Sequence, residues 1–445
     1  MANVKLPKIP KDEFYEDWVA ATLCASGYYV DRRISLTDPT NILELDVVTS
    51  KFESGKVSKT IVEIKSGKWG FPDLFKVRGW LDYLSFDKGA FVSLNCKKQD
   101  YNYIQQEAQK INVSLTNVEI TSTSISADEF ISYWNIPTID TMHKKCAIAI
   151  LRYAFWLERK MFDEYIVPMA RGDKPLLDAV LIKKSILDVN VHSFFIADPY
   201  TRLHRVFKSF IEHRNLTQRI DTYLNGGDIN DIENATLSQS SFSRLYYDVE
   251  PQKDRLHASL YSELICRLTV LKLCVEEIIK CDNLDEFIQW FEKSSLPSKN
   301  IKEGIEKLKE QSYYYLYPHF WQIFIYVFGG FILMSKKDDE YLLLSELTGI
   351  PVEGVDNALS AFDILFPIPH KSWLFDKPRT CIRILRFMPL PISGLGANFR
   401  RFVYSEGKEE KGSYDYLKTL LPQDYTCSDL IKFNNLTVAY FTKGS

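Results

Sequence analysis

The chain has no Cys-x-x-Cys pair among its eight cysteines and no zinc-type spacing among its seven histidines, at 143, 192, 204, 213, 257, 319 and 370. That excludes zinc ribbons, zinc fingers and thioredoxin-like redox motifs. It also lacks a bulk charge of one sign. The formal net charge is −3, and residues 1–120 carry sixteen basic and sixteen acidic side chains. A protein that coats nucleic acid through a general positive field is thereby excluded, and any such contact must use local clusters. No signal peptide opens the chain, and with unpaired cysteines this predicts a reduced, cytoplasmic setting. Cys266, Cys274 and Cys281 fall near one helical face and read as small buried hydrophobes. Long apolar runs are scarce. Tyr313–Met334 comes nearest to a membrane span, but Pro318, His319, Gln322 and Gly329-Gly330 interrupt it. It predicts a buried core helix and no membrane.

What is present is a soluble-type composition, 46% hydrophobic and 25% charged, over 445 residues. That length suits two or three domains with cores of their own. The most informative stretch is Thr60-Ile-Val-Glu-Ile-Lys65, preceded by Ile42-Leu-Glu-Leu-Asp-Val-Val48. In a strand, alternate side chains share a face, so Glu44 and Asp46 fall together, as do Glu63 and Lys65. The Ser, Gly and Lys of Thr49–Lys59 predict a hairpin loop between the two strands. Two antiparallel strands joined this way bring Asp46 and Glu63 within range of one cation. Paired carboxylates suit a hard ion such as Mg²⁺, which retains waters and also grips phosphate. Lys65 beside it is suited to orienting a water or neutralising developing charge.

The flanks extend this into a layer. Residues 12–27 predict an amphipathic helix with Phe14, Trp18, Ala21 and Leu23 on one stripe and Gly27 as its stop. After Lys65 come a helix over 72–86, a strand over 89–94, a helix over 101–111 and a strand over 114–120. The order is that of a compact α/β domain.

Residues 10–120 resemble the PD-(D/E)xK, or restriction-endonuclease-like, superfamily, nearest to its Mrr and Holliday-junction-resolvase branch. The resemblance rests on Phe14-Tyr-Glu16-Asp-Trp-Val19, Gly27-Tyr-Tyr-Val30, Asp46 and Glu63-Ile-Lys65. Leu45 stands where the family name has proline, and no glutamine follows the lysine between Ser66 and Lys98. The resemblance implies a catalytic set of Glu16, Asp46, Glu63 and Lys65. Glu16, Asp46 and Glu63 would be the metal ligands, for Mg²⁺ with Mn²⁺ as a substitute. Arg32, Arg33, Lys68, Lys76 and Arg78 are the local cations expected to meet nucleic acid.

The remaining three quarters read as mainly α-helical. Thr121–Ser126 is a polar link, predicting domains over 1–122, 127–335 and 336–445. Helix spacing covers Met142–Tyr165, Arg202–Leu216, Leu256–Lys280 and Leu284–Lys293, with a polar loop from Asn225 to Ser243. Glu340–Phe362 has helix-turn-helix spacing around Gly349 and Pro351, and strands over Ser372–Phe375 and Cys381–Phe387 would follow as a wing. Its second helix is acidic and carries no Lys or Arg, which favours protein docking over major-groove reading. Arg379, Arg383, Arg386, Arg400 and Arg401 are the basic residues available to touch phosphate there.

The expected function is a Mg²⁺-dependent DNA endonuclease with sensing or recruiting regions, of the kind found in bacterial restriction and anti-phage defence. A protein partner or self-association is expected through the helical regions. The alternative is a non-catalytic nucleic-acid-binding or assembly subunit that keeps the nuclease-like fold.

Overall fold

The computed structural model describes residues 13–36, 42–86, 88–97, 99–120, 125–136, 141–160, 162, 189, 193–196, 198–224, 249–281, 284–293, 298–366, 382–384, 392, 395–396, 399–400 and 403–404. They fall into two compact units, one reaching Phe155 and the other running from Trp156 to Tyr404.

The first unit is built on a mixed sheet in the order β1-β2-β3-β4-β5-β6. Its elements are α1 (Glu13–Ala25), β1 (Tyr29–Leu36), β2 (Leu43–Glu53), β3 (Lys56–Lys65), α2 (Phe71–Leu84), β4 (Lys88–Leu94), α3 (Tyr101–Lys110), β5 (Val113–Ile120), β6 (Ile125–Ser126) and α4 (Asp128–Tyr133). β1, β2 and β3 form an antiparallel meander, β3, β4 and β5 are parallel, and β6 returns antiparallel. Parallel pairing needs a crossover, which α2 and α3 supply. Every residue of β4 from Gly89 to Leu94 is buried, as a strand covered on both faces requires.

The α/β class expected for this region is what the structure has. Differences of detail have local causes. The hairpin joining β2 and β3 turns in only two residues, Ser54-Gly55, because both strands run through the expected loop to Glu53↔Lys56. Gly55, at φ 76°, supplies the backbone such a tight turn demands. In α1 Phe14 is only half-buried, while Tyr15 and Val19 are fully buried. The helix is covered on more than one side, so its core exceeds the stripe that a single-faced amphipathic pattern marks. The first unit also continues past residue 122. β6 pairs with β5, and Glu129 Oε2 of α4 accepts from the Asn117 amide at 3.1 Å and the Tyr101 hydroxyl at 2.7 Å.

The second unit is mostly helical. α5 (Met142–Lys160) leads into it, followed by α6 (Pro199–Leu224), α7 (Val249–Lys280), α8 (Leu284–Lys293), α9 (Ser298–Lys309), α10 (Tyr317–Tyr326), α11 (Lys337–Thr348) and α12 (Val355–Leu365). α6 packs along α7 and α9 along α12. Cys266 and Cys274 of α7 are buried as expected. The apolar run ends as a ten-residue buried helix, α10, broken by Gly329 and Gly330 at φ 70° and 73° before β7 (Phe331–Leu333). No helix among the described residues is long and apolar enough to cross a membrane.

β7 pairs antiparallel with β8 (Ile382–Ile384), the described part of the expected second wing strand. Residues 225–243, strand 372–375, Arg379, Arg386 and Arg401 lie outside the described residues. α12, the second helix of the helix-turn-helix spacing, buries seven of its eleven residues. Asp356 on its outer side receives the Tyr341 hydroxyl at 2.6 Å and Lys337 at 3.2 Å.

Arg400, one of the basic residues the sequence offers to phosphate, is not available for it. It is 1% exposed, and its guanidinium meets Glu340 at 2.9 Å, Phe328 O at 2.7 Å and Gly396 O at 3.2 Å. A buried guanidinium needs such a shell of acceptors, and this one has no face left for a ligand.

Candidate functional site

β2 and β3 run antiparallel with Val47 opposite Val62, so the next rung sets Asp46 against Glu63. One Asp46 oxygen accepts the Ile64 amide at 2.8 Å, which fixes the carboxylate at the strand crossing. Glu63 is 1% exposed, and among the described residues no backbone amide or hydroxyl donates to either of its oxygens. Two ammonium groups balance its charge instead. Lys65 lies 2.6 Å away and Lys76 of α2 lies 3.6 Å away.

Electrostatics follow from this crowding. Burial first, then the charges of Glu63 and Glu16, push the Asp46 pKa up to about 7 against the opposing pull of the Ile64 amide and Lys65. For Lys65, burial works against the ammonium, but the hydrogen bond and charge of Glu63, with Asp46 and Asp73, outweigh it, so its pKa is raised. The lysine stays charged and the aspartate is poised between its two forms near neutrality.

Asp73 acts at the start of α2, where its carboxylate accepts the Gly70 amide at 2.7 Å. That cap fixes the loop carrying Lys68 and Trp69 just after Lys65, and Trp69 packs on Phe91 with centroids 5.0 Å apart. Behind the site Lys65 sits beside Ser93 in register, and the Tyr15 hydroxyl of α1 donates to Ser93 O at 3.0 Å.

The structure therefore brings Asp46, Glu63 and Lys65 together. Glu16 sits on α1 where its charge reaches Asp46, yet among the described residues no three His, Cys, Asp or Glu side chains stand grouped to hold a metal ion. The pair Asp46 and Glu63 still fits Mg²⁺. This ion is commonly held by one or two carboxylates and completes its shell with water and phosphate. A buried Glu63 whose Oε2 has no donor among the described residues, and an aspartate whose proton affinity is raised by its neighbours, are what a divalent cation would relieve.

Two expected nucleic-acid contacts are spoken for elsewhere. Arg32 pairs with Asp17 at 3.5 Å and stacks over Phe155 at 3.7 Å, with only 12% of its side chain exposed. Arg78 is held by Asp82 one turn along α2, through Nε at 3.2 Å and Nη2 at 2.5 Å. Lys68 is exposed and Arg33 partly so, Arg33 in a left-handed backbone at φ 53°. Lys76 has a second role that the sequence reading missed. It is tied to Glu63 and lies 4.3 Å over the Trp80 ring. The signal was its place beside the buried stripe Leu74, Val77 and Leu81, which aims this flank of α2 at the sheet.

Set against protein-family models, curated proteins and solved structures, the chain matches none of them.

Proposed function

We propose that the first unit is a restriction-endonuclease-like, metal-dependent phosphodiesterase acting on DNA, and that the chain serves as an effector of restriction or anti-phage defence. The single observation that carries the reading is the cross-strand pair Asp46 and Glu63 with Lys65 against Glu63 on a buried strand. Buried carboxylates and a charged lysine at one strand crossing cost a fold stability, and such groups concentrate at functional sites. Asp46 and Glu63 would hold Mg²⁺. The ion would supply a Lewis acid for phosphate and a water of lowered pKa.

The chain's own groups do the rest. Lys65 stays protonated and so balances negative charge that builds on a phosphate in the transition state. Lys76 shares with Lys65 the balancing of the Glu63 charge. Lys68, on the loop fixed by Asp73, is placed to meet a neighbouring phosphate.

The deciding experiment incubates supercoiled plasmid, linear duplex, branched DNA and single-stranded RNA with Mg²⁺, Mn²⁺ or EDTA, beside Glu63→Gln. Metal-dependent cutting of DNA that disappears in folded Glu63→Gln is the expected result. Folded wild type that binds DNA but cuts nothing with either metal would instead mark a non-catalytic nucleic-acid-binding subunit.

A further inference from the structure

We propose that the opposite end of the same sheet carries a second site, a pocket for a single nucleotide, with lysines for its phosphate and an aromatic wall for its base. Strand alternation gives Lys51 and Glu53 the face of β2 opposite to that of Asp46, and Lys56, Ser58 and Thr60 the face of β3 opposite to that of Glu63. The register brings these residues together as Lys51↔Ser58, Glu53↔Lys56 and Thr60↔Lys88. Lys51 lies five positions beyond Asp46, about 17 Å along the strand. The pocket is thus separate from the carboxylate pair, and the inference does not rest on the phosphodiesterase reading.

Tyr28 and the residues that follow α4 close a cavity of about 230 Å³ over this face. Three lysines against one glutamate line it, leaving a positive excess of two in a chain whose net charge is −3. Lys51 meets Glu53 at 3.3 Å, whereas Lys56 and Lys88 are exposed and form no ion pair among the described residues. Two ammonium groups are thereby left to an outside anion.

The other wall is aromatic and fixed in place. The Tyr28 ring meets Trp134 edge-on at 5.1 Å, Tyr133 meets it at 5.2 Å, and the Tyr28 hydroxyl donates to Trp134 O at 3.0 Å. Trp134 is 5% exposed, and its indole N–H has no acceptor among the described residues. With so little surface, Trp134 braces the wall from behind, and the half-buried Tyr28 and Tyr133 are the rings left accessible. Aromatic faces beside free ammonium groups are how proteins hold a base and its phosphate without reading sequence. Size sets the unit. The cavity, at about 230 Å³, lies below the range of about 300–1,000 Å³ for drug-sized pockets, which leaves room for no more than one nucleotide unit.

Calorimetric titration of the full chain in EDTA tests this with AMP, GMP, CMP, UMP, adenosine, inorganic phosphate and a 5′-phosphorylated dinucleotide. At least one monophosphate should bind ten or more times tighter than phosphate or adenosine. Lys56→Ala with Lys88→Ala should weaken it at least tenfold, at unchanged unfolding temperature. Tyr133→Ala should weaken the monophosphate while leaving the feeble phosphate binding alone. Glu63→Gln should leave all of these as they are. Lysine-dependent dinucleotide binding as tight as the monophosphate would identify the end of an oligonucleotide as the source, and weaker binding a free nucleotide. No monophosphate binding at millimolar concentration, binding that survives the lysine double variant, or binding lost in Glu63→Gln would overturn the proposal.

Discussion

Asp46 shows what the site demands of one residue. Its folded pKa of about 7 lies above the ordinary aspartate value of about 3.9, so between those pH values the folded state binds the extra proton. The sign follows from linkage. Stability is fullest below about pH 4 with respect to this group, and falls as pH rises toward 7 and the buried carboxylate ionises. Asp46→Asn should therefore raise the unfolding temperature in EDTA at pH 8 and change it little at pH 5. Mg²⁺ should raise that of the wild type at pH 8 and not that of the variant. Scanning calorimetry at the two pH values reads both effects, and a variant that melts lower than wild type at pH 8 would contradict the burial argument. His213 on α6 behaves in the opposite sense. Burial lowers its pKa to about 4, only partly offset by Glu263, so its contribution holds above about pH 6.5 and is lost as pH falls toward 4. His213→Gln should flatten urea-measured stability across that window relative to wild type.

At the scale of elements, Arg400 and Glu340 act as a clasp. The pair joins α11 to the carbonyls of Phe328 and Gly396, and Gly330 at φ 73° turns the chain between α10 and β7. Removing one charge strands the other in the core, at a cost of about 3–5 kcal/mol. Arg400→Met or Glu340→Met alone should lower stability by that order. The double variant should recover much of the loss, because no buried charge is left, and urea unfolding of all four proteins completes the cycle. This clasp was not legible in the sequence. Arg400 and Glu340 are 60 residues apart, and a basic residue near a helix-turn-helix pattern reads as a phosphate contact. Arg32 misled for the same reason, since nothing local says that Asp17 and Phe155 flank it. What could be read were the elements with a strong period. α2, β4, α3, β5 and α8 begin and end within two residues of expectation because alternation and helical stripes mark them directly. Asp46, Glu63 and Lys65 were legible because strand parity alone places them. The hairpin was misjudged because its buried Thr49 and Ser50 carry the composition of a loop.

For the whole molecule, charge decides how nucleic acid would be met. The net charge of −3 supplies no long-range attraction, and of the five cations expected around the site Arg32 and Arg78 are already engaged by carboxylates. Lys76 is shared with Glu63, so exposed Lys68, the exposed part of Lys76 and, to a lesser degree, the partly exposed Arg33 are the surface that can face phosphate. Each phosphate neutralised on duplex DNA contributes about −0.9 to the slope of log K against log salt. Two or three contacts thus give a slope of about −2 to −3, far shallower than that of a protein with a basic face. Fluorescence anisotropy with a labelled duplex in Ca²⁺, from 25 to 200 mM salt, should return this shallow slope, on the order of two or three contacts. Lys68→Ala should reduce it by about one contact, while Arg78→Ala should leave it unchanged. A slope steeper than about −6 would mean that another surface of the chain carries the DNA. A shallow slope has a consequence for targeting. Under the proposed function, so few contacts would hold DNA weakly at physiological salt, specificity would have to be supplied from outside the site, and cutting by the isolated chain should accelerate when a partner raises the local DNA concentration.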